Sequence, residues 1–363
     1  MGAVRLNEPD LYIYYDNREI EMKRGILIVV LFLLVRLTCT AQDHMYSQFF
    51  NSPVYLNPAL NGQFEGDLRM NLIYRNQWSS IPGNLNYMTA SIDYNIPRFG
   101  GGIGLIFTRG SEGTAYLNKS NIAGVYSYSV GSDNFVLSFG LQAGITNRSI
   151  DYSKLVFGDQ ISPTTGYIPG SETSADMPTF NNKFYFDSGA GINLVAGQFM
   201  IGGALQHINR PDESFTGTPD KLPMRITGHM SYRLDLEPDG NYDEDEKSYV
   251  VPSVVIYKQS TAESINAGIE YKRRSISAGL WYRSGGVNGP GAVVVSLVFD
   301  LFINREGREK MRFGLSHDVP TSRLSYGNTS GTTEGSLNYQ TTIPSRTDNE
   351  PRFEGSKRCY DFY

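Results

Sequence analysis

A chain of 363 residues has room for two globular domains or for one large β-barrel. Charged residues make up 19%, aromatics reach 12% and glycine numbers 38, while no apolar run attains the roughly 20 residues of a spanning helix. These values exclude a helical membrane bundle and a disordered chain, and a net charge of −5 offers nucleic acid no attraction.

In chain order, the first feature is an export signal. Met22-Lys23-Arg24 precedes the apolar run Gly25–Val35, and Cys39-Thr40-Ala41 follows it. A basic start, a short apolar core and small residues before Gln42 describe a signal peptide over 22–41, cleaved after Ala41. Residues 1–21 carry Asp10, Asp16, Glu19 and Glu21, which suit no such leader, so Met22 is read as the start and 1–21 as a spurious extension. Arg36 stands where a lipoprotein signal needs an aliphatic residue, so Cys39 is read as unlipidated. The mature chain then keeps only Cys359, which has no disulfide partner and no metal-binding spacing.

Residues 42–66 form a segment of their own, followed by strands at period 2 with almost nothing at the helical period. Leu68, Met70, Leu72 and Tyr74 alternate with Arg69, Asn71, Ile73 and Arg75, and Phe135, Leu137, Phe139 and Leu141 alternate with Val136, Ser138, Gly140 and Gln142. Strands are expected at 67–77, 85–96, 99–109, 114–130, 133–147, 183–197, 198–208, 222–236, 247–259, 262–273, 275–284, 290–304, 309–318 and 332–341. The connections sort by parity: 97–98, 131–132, 197–198, 274 and 305–308 are short, whereas 148–182, 209–221 and 319–331 are long. Only 237–246, long and acidic, breaks the rule on the short side. Short periplasmic turns, long outer loops and an even strand count describe an outer-membrane barrel over 67–341. In lipid unpaired backbone is not tolerated and only closure removes every edge; a large soluble all-β protein with one wet face is the other reading of the same alternation. Tyr74, Tyr94, Phe99, Tyr128, Tyr232, Tyr257, Tyr271 and Tyr282 are expected to form the interfacial girdles, and 342–363 a periplasmic tail.

The segment 42–66 contains Gln42-Asp43, Tyr46-Ser47-Gln48 and Tyr55-Leu56-Asn57-Pro58-Ala59, with Gly62 beyond. Tyr74-Arg75-Asn76-Gln77-Trp78, Gly101-Gly102-Ile103-Gly104, Ser316-His317-Asp318 and Gly331-Thr332-Thr333-Glu334 follow in order. On these motifs the chain resembles the PorP/SprF outer-membrane proteins of the type IX secretion system of Bacteroidota, over residues 42–340. His317 and Thr333 depart from the family's Ser-Tyr-Asp and Gly-x-His-Glu patterns. The resemblance implies a non-enzymatic accessory barrel that helps adhesin-like cargo reach the surface and supports gliding motility. The implied partners are membrane lipid, other secretion subunits and cargo C-terminal domains. Asn57-Pro58 is a turn element carrying Tyr55 and Leu56, so Tyr55, Leu56, Asn57 and Pro58 are the candidate partner-binding residues, packed in the lumen or at its periplasmic mouth. A simple turn that starts the barrel is the other reading of the same residues.

No enzyme is expected. His44, His207, His229 and His317 are scattered, with His229 and His317 assigned to polar faces, and no Gly-x-Ser-x-Gly occurs. Asp243–Glu246 lacks the ligand alternation of a calcium loop, and Lys272-Arg273-Arg274 reads as a charged turn. No cofactor and no metal are expected. The alternative function is a porin-like or hydrophobic-solute channel.

Overall fold

The computed structural model describes residues 43–96, 100–175, 180–236, 248–285, 291–304, 309–322, 325–343 and 358–362. The expected leader, the acidic turn 237–246 and Phe99 lie outside the described residues.

Fourteen long strands run in chain order. They are β1 Leu68–Gln77, β2 Asn84–Ile96, β3 Gly101–Gly113, β4 Leu117–Ser132, β5 Phe135–Ser149, β6 Asn182–Ala196 and β7 Phe199–Gln206. Then come β8 Arg225–Tyr232, β9 Ser248–Gln259, β10 Ala262–Arg273, β11 Ile276–Ser284, β12 Ala292–Asn304, β13 Glu309–Pro320 and β14 Thr332–Thr341. Each pairs antiparallel with its sequence neighbour. β1 also pairs with β14, from Leu68 opposite Thr341 to Gln77 opposite Thr332, so the sheet closes.

Alternation places the side chains. On β1, Met70, Leu72 and Tyr74 point outward and are exposed, whereas Arg69, Asn71, Ile73 and Arg75 point inward and are buried. The outward face continues through Ile103, Leu105, Ile122, Phe139, Leu141, Leu280, Leu297 and Leu315, an apolar surface that only lipid suits. The inward face is mostly Arg, Asp, Glu, Asn, Ser, Thr and Gly with a few apolar residues such as Ile73, and it too is buried, because the lumen is occupied.

Two apolar clusters inside the barrel both combine wall residues with residues from before β1. One joins Tyr46, Val54 and Tyr55 to Ile73, Tyr87, Ile106 and Val125. The other joins Phe49, Phe50, Leu56 and Leu60 to Val195, Met200, Tyr249, Val255 and Trp281, and adds Cys359 and Phe362 from the other end of the chain. The residues read from sequence as a periplasmic tail thus end in a turn, Cys359–Phe362, whose Cys359 and Phe362 are each 1% exposed against the barrel's inner wall.

Candidate functional site

The segment before β1 crosses the lumen as a series of tight turns. Phe49–Asn51 is a 3-10 turn, Pro53–Leu56 one turn of α-helix, and Pro58–Leu60 a second 3-10 turn. Pro53 and Pro58 each open a turn, where a missing N–H costs nothing. Asn57 is extended, as the residue before proline must be, and its Oδ1 accepts from Ala59 N at 2.9 Å, capping the last turn. No free tail would hold such an order, because fixing each backbone costs about 1–2 kcal/mol that only burial offsets.

Three sets of contacts hold the segment, each at a different depth. The deepest rests on glycine. Gly102 and Gly104 of β3, Gly140 of β5 and Gly191 of β6 present bare backbone to the lumen. A Cβ on Gly102 would lie 2.6 Å from Gly62 Cα. One on Gly104 would overlap Asn61, one on Gly140 the Pro58–Ala59 peptide, and one on Gly191 the Asn57 side chain. Gly140 and Gly191 are cross-strand partners, so they form one flat patch. Nearby, Arg69 donates through Nη2 to Leu60 O at 3.1 Å and pairs with Asp93, whose other contact is Gly62 N at 2.8 Å.

The middle set is ionic. Glu334 of β14 accepts from the backbone N–H groups of Ser47 and Gln48, at 2.8 and 2.9 Å. Ser47 Oγ donates to Asp318 of β13 at 2.8 Å. Arg75 of β1 pairs with Glu334 and reaches Asp318 at 3.4 Å, and Arg283 of β11 reaches Asp318 at 2.9 Å. Two carboxylates and two guanidiniums thereby balance inside the barrel, and their spare acceptors take the backbone of the segment. Gln48 Nε2 adds Ser316 Oγ and Glu334 O at 3.2 and 3.1 Å.

The third set lies at the long-loop end, which is the outer end by the loop-length rule. Asp43 pairs with Lys119 at 2.7 Å and His207 Nε2 at 2.6 Å, and accepts from Gln259 Nε2 at 3.0 Å. His207 Nδ1 meets Asp187 at 2.9 Å. With a carboxylate on each nitrogen, both must donate, and the ring is an imidazolium. Burial opposes that charge, but Asp43 and Asp187 outweigh it and raise the His207 pKa above its usual 6.5. Asp43 is held well below the carboxylate range, its burial overcome by Lys119 and His207. His44 stacks between Tyr55 and Tyr87, at 5.0 and 4.4 Å between centroids. Burial and then Arg225 push its pKa down to about 3, so it is neutral. At the opposite end Asp67 bonds Thr341 O through its N–H at 3.0 Å, beside the short turns. Residues 43–66 therefore span the lumen from outer to periplasmic end.

Each residue singled out from sequence has a definite place. Tyr55, Leu56, Asn57 and Pro58 are all buried in the lumen, at 9%, 1%, 0% and under the wall of β5 and β6 respectively. They line no open mouth. Tyr55 donates its hydroxyl to His44 O at 2.7 Å and accepts from Arg225, and Asn57 donates to Ile192 O at 3.0 Å. His229 is on the lumen face, as expected. His317 is not: it points outward near the rim of β13, where Nδ1 meets Thr333 Oγ1 at 3.0 Å and the ring packs on Tyr326. The two departures from the family pattern are thus cross-strand partners of each other. Tyr257 is no girdle residue either; the alternation of β9 turns it into the lumen at 5% exposure, where Arg225 stacks on it. Lys272 turns inward to Asp300 at 2.9 Å, while Arg273 and Arg274 remain exposed. Sequence reasoning missed Lys119 and His207, which pair with Asp43, and Asp187, which pairs with His207, a chain of contacts that joins four distant stretches. It also missed Gly140 and Gly191, whose signal was a glycine on the inward parity of two adjacent strands.

A closed antiparallel barrel with an apolar outer face and a lumen occupied by its own N-terminal segment defines an outer-membrane β-barrel of the plugged kind. The chain matches the family model "Type IX secretion system membrane protein PorP/SprF" over residues 38–339, and it belongs to that family. A comparison with curated proteins finds no match. Among solved structures it is similar to the Acinetobacter baumannii outer membrane protein Omp33, at 7% identity and TM-score 0.40, covering 77% of this chain and 100% of that one. A Pseudomonas aeruginosa FadL homologue gives 11% and 0.40, covering 80% and 94%. The TodX monoaromatic hydrocarbon channel, as its deltaS2S3 mutant, gives 10% and 0.42, covering 81% and 94%.

Proposed function

We propose that this type IX secretion component is a plugged scaffold that supports secretion or surface attachment of particular adhesin-like cargo, and with it gliding motility. Its partners are other secretion subunits and cargo C-terminal domains, met by the outer loops 148–182 and 209–221. The observation that carries this reading is convergence. Ser47-Gln48, Arg75, Asp318 and Glu334 come from four family-like motifs and meet in one buried cluster, while Gly62 meets Gly102 in another. Motifs that converge on holding a plug favour a scaffold over a channel or an enzyme. Tyr55–Pro58 then act by fixing the segment's pose and touch a partner only if the segment moves.

The test is the double variant Tyr55→Ala/Leu56→Ala. The barrel should stay heat-modifiable on gels, since the strands are untouched, while secretion of the dependent cargo falls. His317→Ala, outside the lumen, should secrete normally. Normal secretion by the double variant would overturn the reading, and loss of function in His317→Ala would reopen the enzyme.

A further inference from the structure

One buried charge in the lumen lacks the compensation that its neighbours have. Arg69, Arg75, Arg148, Arg233, Arg283 and Arg312 all face inward, and each lies within 3.6 Å of a carboxylate. Arg225 of β8 is 2% exposed and has no carboxylate among its described ion-pair partners. Its Nη1 donates to the Tyr55 hydroxyl at 2.8 Å, and its guanidinium sits 5.0 and 4.9 Å from the ring centroids of Tyr55 and Tyr257. Two ring faces offset part of the cost of burying the charge, but they are no counter-ion. Nη2 has no hydrogen-bond partner among the described residues.

Arg225 lines a cavity of about 10 Å³ just beneath the outer turn between β9 and β10. Ser264, 4% exposed, lines it from the opposite strand with a hydroxyl that also lacks a partner, and Tyr257 closes the side. Asp43 borders the same space, yet its oxygens are engaged by Lys119, His207 and Gln259. Lys119 and His207 are thus taken up by Asp43 and Asp187, and Arg225 is left with no carboxylate of its own among the described ion pairs.

We propose that this cavity binds a single monatomic anion, chloride in ordinary media. The donors fit: an N–H from Arg225 and an O–H from Ser264, both without another partner among the described residues, line the same small space. Water fits but gives Arg225 no counter-ion. The anion pins Arg225, and through it Tyr55, so the outer half of the plug tightens when halide is present.

The experiment uses the purified full-length barrel in detergent. The midpoint of thermal unfolding is followed while sodium gluconate is replaced by sodium chloride or bromide at constant ionic strength. Both halides should raise the midpoint saturably, by roughly 2–4 °C at saturation. Ser264→Val and Arg225→Gln should abolish the response; if the arginine variant does not fold, the serine variant decides alone. Crystals grown in bromide should give an anomalous peak beside Arg225 Nη2. Equal midpoints in chloride and gluconate, an undiminished response in Ser264→Val, or a site holding only water would each overturn the proposal.

Discussion

Glycine is the residue on which the plug depends most directly, and for a reason a side-chain inventory hides. Gly140 and Gly191 sit opposite one another on neighbouring strands with their inner faces bare, so the Asn57–Ala59 backbone rests on sheet backbone. Gly124 on β4 has the opposite parity: a Cβ there finds nothing nearer than 4.0 Å. Alanine at the two kinds of site should therefore act differently, although strands favour alanine over glycine in both. Gly140→Ala overlaps the Pro58–Ala59 peptide and should cost about 1–3 kcal/mol, the usual penalty of overpacking. The cost should appear as faster hydrogen exchange across residues 43–66. Gly124→Ala should exchange like the wild type. Equal effects from both would mean that the segment does not press on the wall.

At the scale of the element, the N-terminal segment is a strap whose outer end is latched by charge, and charge gives it a pH dependence. His207 has its pKa raised, so the stability it contributes is complete below the unfolded value near 6.5 and is lost as pH rises through the higher folded value. Asp43 is depressed, so its share is present above the usual carboxylate range and is lost in acid. The heat-modification midpoint of the wild type should thus decline on the alkaline side of neutrality. His207→Gln, which keeps a donor but cannot carry charge, should be less stable near pH 6 and flatter above it. An identical alkaline decline in both proteins would remove His207 from the latch.

The same element marks how far sequence reading reached. Strand alternation on β1 and β5 gave the two faces, because a two-residue period survives any tertiary context in a barrel with lipid on one side. The motif Tyr55–Ala59 was visible as a turn element, but its burial was not, since nothing in a turn says what covers it. The latch was invisible: Asp43, Lys119, Asp187 and His207 carry no mutual spacing, and only barrel closure brings them together. Cys359 and Phe362 belong to no periodic stretch, so the place of both in the inner apolar cluster, with Asn193 Nδ2 3.0 Å from Cys359 Sγ, had no signal at all.

For the whole molecule, the question is whether a closed barrel of this size conducts. The seam between β1 and β14 is bridged from inside: Ser47 and Gln48 bond Glu334, and Glu334 pairs with Arg75 across the seam. The plug is therefore part of the wall's ionic balance rather than a loose insert. It occupies the lumen at the glycine patch, at the Arg75–Glu334 cluster and at the Asp43 latch, and Cys359 and Phe362 add to its periplasmic half. Ions crossing such a lumen would have to displace groups that are already paired. The full-length protein in planar bilayers should accordingly give no steady open pore. Gly140→Leu combined with Gly191→Leu removes the resting place of Asn57–Ala59 while leaving the outward face and the strand ladder unchanged. That variant should remain heat-modifiable and should add intermittent channel openings, because a strap freed at its deepest contact is still latched at Asp43. A steady pore in the wild type, with no further change in the variant, would favour a solute channel and leave the plug without the closing role argued from its contacts.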